Sequence, residues 1–133
     1  MYLYSYRFYL QVDSSEANNT MVRIAVAGGR SGLGKAIVEA IEAEGSHECF
    51  VLTRSGNGKG SGNATAVELM INYNDVESIR SVLEGSDIRI VVSVLGMEGG
   101  AGQSQMNLIE AADRSQSVRR FLPSEFGALY EAE

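Results

Sequence analysis

A chain of 133 residues that is 44% hydrophobic can bury one respectable core, and its length argues for one domain. Eleven Lys and Arg against seventeen Asp and Glu leave a net charge of -6, with no basic stretch dense enough to follow a phosphate backbone, which argues against nucleic acid as a partner. The single cysteine, Cys49, has no internal partner for a disulfide, and no apolar run approaches the roughly 20 residues that a membrane helix needs, so a soluble protein of a reducing, cytoplasmic compartment is expected.

Residues 1–20, "MYLYSYRFYLQVDSSEANNT", are aromatic-rich up to Val12 and then polar with turn-type chemistry. They lack the basic start, continuous apolar centre and small-residue cleavage site of a secretory signal. Alternation of Tyr2, Tyr4 and Tyr6 would suit an added edge strand, but a flexible extension ahead of Met21 is the expected form. The main domain then runs over 21–133.

From Met21 the punctuation is regular. Val22, Ile24 and Val26 alternate with Arg23 and two alanines in a short strand that stops at Gly28. Leu33, Ile37, Ala40 and Ile41 recur at helical spacing, and Gly45 sits where a helix C-terminus prefers glycine. A second strand covers Glu48 to Arg54, followed by the glycine-rich loop "SGNGKGSGN" and a weak third strand through Ala66 to Ile71. Asn74 with Glu77 three residues on resembles a helix cap; Val76, Ile79 and Leu83 then form an apolar stripe closed by Gly85. The most apolar strand spans Ile88 to Gly96, "MEGGAG" leads to a helix carrying Met106, Ile109 and Ala112, and a last strand ends at Pro123. Strands alternating with helices of ordinary length imply right-handed β-α-β units, hence a mostly parallel, doubly wound α/β sheet with helices on both faces.

Ligands of such sheets bind at the carboxyl ends of the strands, where the strand order switches. The stretch "AVAGGRSGLGKAIVEAI" puts Gly28, Gly32 and Gly34 directly after the first strand and before the first helix. Gly28 would permit the tight turn, Gly32 the approach of a pyrophosphate to main-chain N–H groups, and Gly34 close packing of helix on sheet. A mononucleotide P-loop would need Ser or Thr after Gly34-Lys35, and Ala36 stands there instead. A dinucleotide is therefore the expected cofactor. An acidic residue after the second strand would select NAD; this chain has Arg54, whose planar guanidinium suits the extra phosphate of NADP(H), with Arg30 in the glycine loop as a second candidate. Lys59 is a weaker one, because a solvated charge is the simpler account of a lysine in so loose a loop.

"VAGGRSGLGKAIVEAI", "HECFVLTRS", "NYNDVESIRSVLEGSDIRIVVSVLG" and "VRRFLPSEFG", in this order, resemble the NmrA-like and isoflavone-reductase-like family, an atypical branch of the short-chain dehydrogenase/reductase superfamily. The resemblance covers Met21 to about Gly127, and "FLPSEFG" is its most diagnostic part. It implies a Rossmann-type NAD(P)-binding domain and an NADPH-dependent oxidoreductase ancestry. Within it, Gly28, Gly29, Gly32, Leu33 and Gly34 would hold the pyrophosphate and Arg54 the 2′-phosphate; Arg30, Ser31 and Lys59 join the candidate cofactor-binding residues by their place in the two loops. Ser93, Leu95 and Gly96 would lie beside the adenosine and ribose; Pro123, Ser124, Glu125 and Phe126 would lie at the nicotinamide end, Phe126 packing on the ring. Ser31 stands where the family often has glycine, and Asn72 where an acidic residue is common, although Asp75 remains nearby.

Family members are roughly twice this length or more, as a dinucleotide domain plus a substrate region requires. The family's reductases use a lysine shortly beyond the Pro-Ser-Glu-Phe-Gly stretch for proton transfer, and the chain, which ends at Glu133, carries only Lys35 and Lys59. A domain truncated after its fifth strand, with no catalytic residue of its own, is the expectation. Ser124 lacks a partner base, Tyr130 lacks the lysine four residues on that would lower its pKa, and His47 lacks a second histidine to share a metal. Cys49 reads as a buried, inert thiol, and Met97 and Met106 as packing residues. The reading is an NADP(H)-binding domain whose further partner would be a small-molecule substrate. The alternatives are a non-catalytic redox sensor that contacts a regulatory protein, or a fragment without function.

Overall fold

The segments richest in Val, Ile and Leu form strands because branched side chains pack well on a pleated surface covered on both sides. The computed structural model describes residues 21–29, 32–54, 66–96 and 101–124. Residues 1–20 and the loops around Lys59 and Met97 lie outside the described residues, as do Arg30, Ser31, Glu125, Phe126 and Tyr130. Eight elements alternate: β1 (Arg23–Ala27), α1 (Gly32–Glu44), β2 (Glu48–Thr53), β3 (Val67–Met70), α2 (Val76–Gly85), β4 (Ile88–Ser93), α3 (Ala101–Arg114) and β5 (Arg120–Leu122). The strands form one sheet in the order β3-β2-β1-β4-β5, every neighbouring pair parallel. This is the Rossmann-type α/β arrangement expected from the sequence.

Burial on both faces follows from the connections. Ile24, Val26, Cys49, Val51 and Val92 face α1, whose Val38 completes that layer. Ala25, Ala27, Phe50, Leu52 and Val91 face the other way, against Ile79 and Leu83 of α2 and Leu108, Ile109 and Ala112 of α3. The two alanines of β1 are fully buried, so the strand is apolar on both sides and its alternation is only one of side-chain size. At the edge of the sheet, β3 leaves Val67 and Met70 largely exposed, which accounts for its weak signal.

Three local expectations need correction. The buried centre of α1 is Gly34 and Val38, flanked by half-buried Ile37 and Ile41, whereas Leu33 and Ala40 are exposed. The cap of α2 is Asp75, whose carboxylate accepts from the Ser78 N–H at 3.1 Å. Asn74 is turned away from that role by its own N–H, which donates to the Asn72 side chain at 3.0 Å, and Glu77 pairs with Arg80 and Arg114. Finally, α2 ends on Gly85, but the left-handed residue that reverses the chain is Asp87, with φ of 50°.

Candidate functional site

The strand order reverses between β1 and β4, because α1 leads from β1 to one side of the sheet while β4 pairs on the other. Helices on opposite faces then leave a crevice above the carboxyl ends of these two strands. β1 runs into Gly28, whose φ of +83° is one that side chains strongly disfavour. The Val94 N–H donates to the Ala27 carbonyl at 2.9 Å and brings Val94 against this turn. A Cβ on Gly28 would stand 3.0 Å from Val94 Cγ2. In the first turn of α1, a Cβ on Gly34 would overlap the Gly28 carbonyl oxygen and lie 2.7 Å from Val94 Cγ2. Backbone therefore meets backbone, and the helix starts directly on the strand end.

Gly32 behaves differently. A Cβ there would meet nothing within 4 Å among the described residues, and the same is true of Gly96 just beyond β4. Open space thus lies at the start of α1, where the first main-chain N–H groups lack intrahelical partners and carry the positive end of the helix dipole. Space and donors together suit an anionic group such as a pyrophosphate. Gly29 belongs to the packing instead, since a Cβ there would stand 3.0 Å from Val38 Cγ2.

Arg54 follows β2 directly and is exposed. Its guanidinium carbon lies over the ring of Tyr73, 5.3 Å from the centroid, a cation–π distance. Tyr73 is itself 5% exposed, and its hydroxyl has no hydrogen-bond partner among the described residues.

On the far side of the crevice, Ser93 ends β4 fully buried, and its hydroxyl donates to Gln105 Oε1 at 2.8 Å. The same oxygen accepts from the Ser124 N–H at 2.8 Å. A main-chain N–H can only donate, so the Gln105 atom facing it must be the oxygen. Gln105, at 3% exposure on the inner face of α3, thereby ties the end of β4 to the segment after β5. Leu95 and Pro123 are buried, Gly96 is exposed and Ser124 is half-buried. Arg54, the glycine turn, Leu95 with Gly96, and Pro123 with Ser124 therefore follow the carboxyl ends of β2, β1, β4 and β5 in order. Three interstrand gaps amount to roughly 14 Å, so a ligand that touched both ends would be an extended one. Ser93 offers such a ligand no exposed side chain.

His47 and Cys49 lie away from this edge and serve the fold. His47 Nδ1 accepts from the Val22 N–H at 3.1 Å. Burial pushes the Cys49 thiol up to about 11, with the Glu42 charge adding to the shift. Burial likewise pushes the Tyr73 phenol up to about 12, opposed by the Arg54 charge. The fold holds both groups neutral, whereas the unfolded chain ionises them from their ordinary values of 9.0 and 10.0. As the pH rises through that window the unfolded state gives up protons first, so stability is expected to fall progressively above pH 9.0 toward about 12. Urea midpoints at about pH 8 and about pH 10.5 test this, and a higher midpoint at the alkaline pH would contradict it.

The model of the NmrA-like family matches residues 20–133. The chain belongs to this family. Oxidoreductase BOA1 of Botryotinia fuckeliana is 42% identical over 112 residues, a match covering 84% of this chain and 37% of that protein. Isoflavone reductase homolog A622 of Nicotiana glauca is 30% identical over 112 residues, covering 79% and 35% respectively. Among solved structures, the binary complex of leucoanthocyanidin reductase with NADPH from Vitis vinifera superimposes with a TM-score of 0.63 at 28% identity, covering 79% of this chain and 34% of that one. The chain thus spans about a third of the length of the curated relatives it matches. The resemblance read from the glycine turn and the Pro-Ser-Glu-Phe-Gly stretch holds. Among the described residues of this NmrA-like chain, no helix is long and apolar enough to cross a membrane, and no three His, Cys, Asp or Glu gather where they would hold a metal.

Two residues at the edge escaped the sequence reading. Gln105 shares the helical register of Leu108, Ile109 and Ala112, and a polar residue on that apolar face was its one signal. Tyr73 stood in a turn, with nothing in its spacing to connect it to Arg54.

Proposed function

We propose that this chain is the NADP(H)-binding portion of an NmrA-like protein related to the NADPH-dependent reductases. The observation that carries the reading is the interlock of Gly28, Gly34 and Val94 at the strand-order switch, with open space at Gly32 and a guanidinium at the end of β2. The NADPH complex of leucoanthocyanidin reductase, a structural relative, supports it.

In this reading residues 21–133 are the dinucleotide unit and 1–20 an extension, in a cytoplasmic protein. Main-chain groups from Gly28 to Gly34 take the pyrophosphate, Arg54 takes the 2′-phosphate, and Leu95 and Gly96 border the ribose. Pro123 and Ser124 stand toward the nicotinamide, in position to orient the ring. When bound, that ring supplies or accepts a hydride. Arg30, Ser31, Lys59, Glu125 and Phe126 belong to the same proposal. No proton-transfer residue is assigned, and the substrate would be a small molecule bound with the rest of the family's length.

Calorimetric titration of the chain with NADPH and NADH, repeated with Arg54→Ala, tests the reading. NADPH is expected to bind in the micromolar range and more tightly than NADH, with Arg54→Ala weakening NADPH at least tenfold, about 1.4 kcal/mol. No binding of either dinucleotide by a folded chain would sink it.

A further inference from the structure

A long arginine side chain on an exposed strand end has many rotamers available, and a phosphate that recruits it must hold all of them still. Arg54 does not stand alone, because its guanidinium lies 5.3 Å from the centroid of the Tyr73 ring. That ring is well fixed. The Tyr73 carbonyl accepts from Asn107 Nδ2 of α3 at 2.7 Å. One turn of chain earlier, the Ile71 N–H donates to the Thr53 carbonyl at 2.8 Å, tying the segment to the residue before Arg54. Around Tyr73, the Asn74 N–H donates to the Asn72 side chain at 3.0 Å and the Asp75 N–H to the Asn72 carbonyl at 3.1 Å. The buried hydroxyl gains no hydrogen bond from the described residues, so the contribution of Tyr73 to this corner comes from its ring.

A cation–π contact uses no N–H of the guanidinium as a conventional hydrogen-bond donor to oxygen, so those donors remain for a bidentate phosphate partner. We propose that Tyr73 is a positioning residue for cofactor choice: its ring holds the Arg54 guanidinium at the end of β2 by a cation–π contact, with N–H donors left for the 2′-phosphate of NADP(H). This inference rests on the NADP(H) reading above. It assigns the selectivity to a cation–π pair from two elements, the end of β2 and the turn before α2, in which a point charge at position 54 is insufficient.

The test compares NADPH and NADH dissociation constants, by calorimetry on the full chain, for wild type, Arg54→Ala, Arg54→Lys, Tyr73→Phe, Tyr73→Leu and the Arg54→Lys/Tyr73→Leu double variant. Tyr73→Phe keeps the ring and is expected to keep the wild-type preference. Tyr73→Leu should weaken NADPH about three- to fivefold and leave NADH unchanged, and it should add nothing in the Arg54→Lys background. Arg54→Lys, on an exposed side chain, should fold normally and still lose most of the preference. A fully retained preference in Arg54→Lys overturns the proposal whether or not Tyr73→Leu folds. Equal weakening of both dinucleotides by Tyr73→Leu overturns it as well, since a general packing defect would do that. If the preference is lost in Arg54→Ala but survives in folded Tyr73→Leu, the positioning role alone fails. If the wild type shows no preference for NADPH, the NADP(H) reading fails and this inference with it.

Discussion

Gly34→Ala is expected to lower the stability of the chain by about 3 kcal/mol or more, with a fall in melting temperature of roughly 10 °C or greater. One methyl group has this effect because of what it meets: the Gly28 carbonyl oxygen and Val94 Cγ2, at 2.7 Å from the latter. Neither is the far end of a flexible side chain, since Gly28 is fixed by its turn and Val94 by the hydrogen bond to Ala27 at 2.9 Å. The first turn of α1 must therefore lift off the sheet. Lifting it separates Val38 from Val26 and Val51 and would remove the proposed dinucleotide cradle at the same time. Gly32→Ala is the informative comparison, for its φ of +56° disfavours alanine by about 1–2 kcal/mol while the space beside it is open. Thermal unfolding of both variants decides the matter. Equal losses would show that backbone conformation, and not the close approach of helix to strand, governs this turn.

Gln105→Leu is the second large effect expected, at about 2–4 kcal/mol. Leucine fits the apolar face of α3 in size, so little packing is lost. The cost comes chiefly from the fully buried Ser93 hydroxyl, with a smaller share from the half-buried Ser124 N–H, both at 2.8 Å from the oxygen that disappears. An unpaired buried donor loses its hydration without compensation. Adding Ser93→Ala removes one of the orphans, so the double variant should recover part of the loss. Urea unfolding of both variants measures it. A double variant no more stable than Gln105→Leu alone would mean that the Ser93 hydrogen bond contributes nothing net.

Much of this fold was legible because the strongest signals were strongly physical. β4 reads as a strongly apolar segment, Ile88 and Ile90 to Val92 interrupted by Arg89 alone, and a strand covered by helices on both faces has no reason to alternate strictly. The glycine turn was legible for a related reason, since glycines between a strand and a helix mark places where backbone must approach something closely. The apolar register of α1 was only partly legible: the glycine pattern marks Gly34 as the point of close packing, but counting apolar side chains adds Leu33 and Ala40, which are exposed. Asn74 reads as the cap because Glu77 follows it by three residues, but Glu77 pairs with Arg80 and Arg114, and it is Asp75 whose carboxylate accepts from the Ser78 N–H. For the candidate site the limit was tertiary. Arg54 announced itself by its place after β2, but the ring beneath it arrives from β3 and its following turn, and the Gln105 bridge joins three segments that are distant in the chain.

The strand order has a further consequence, for the reversibility of folding. In the sheet, β3, β2 and β1 form one half and β4 and β5 the other, joined only by the pairing of β1 with β4, whose register shifts between Arg23 and Ile24. Parallel strands so remote in sequence close a large loop when they meet, which makes this seam slow to form. The cofactor crevice lies over the same seam. On the proposed reading, a dinucleotide spanning it would grip both halves, adding about 2.7 kcal/mol to stability at a concentration one hundred times its dissociation constant. Amide exchange in β1 and β4 would then slow as the site filled, so that release of the ligand and loosening of these two strands would be coupled.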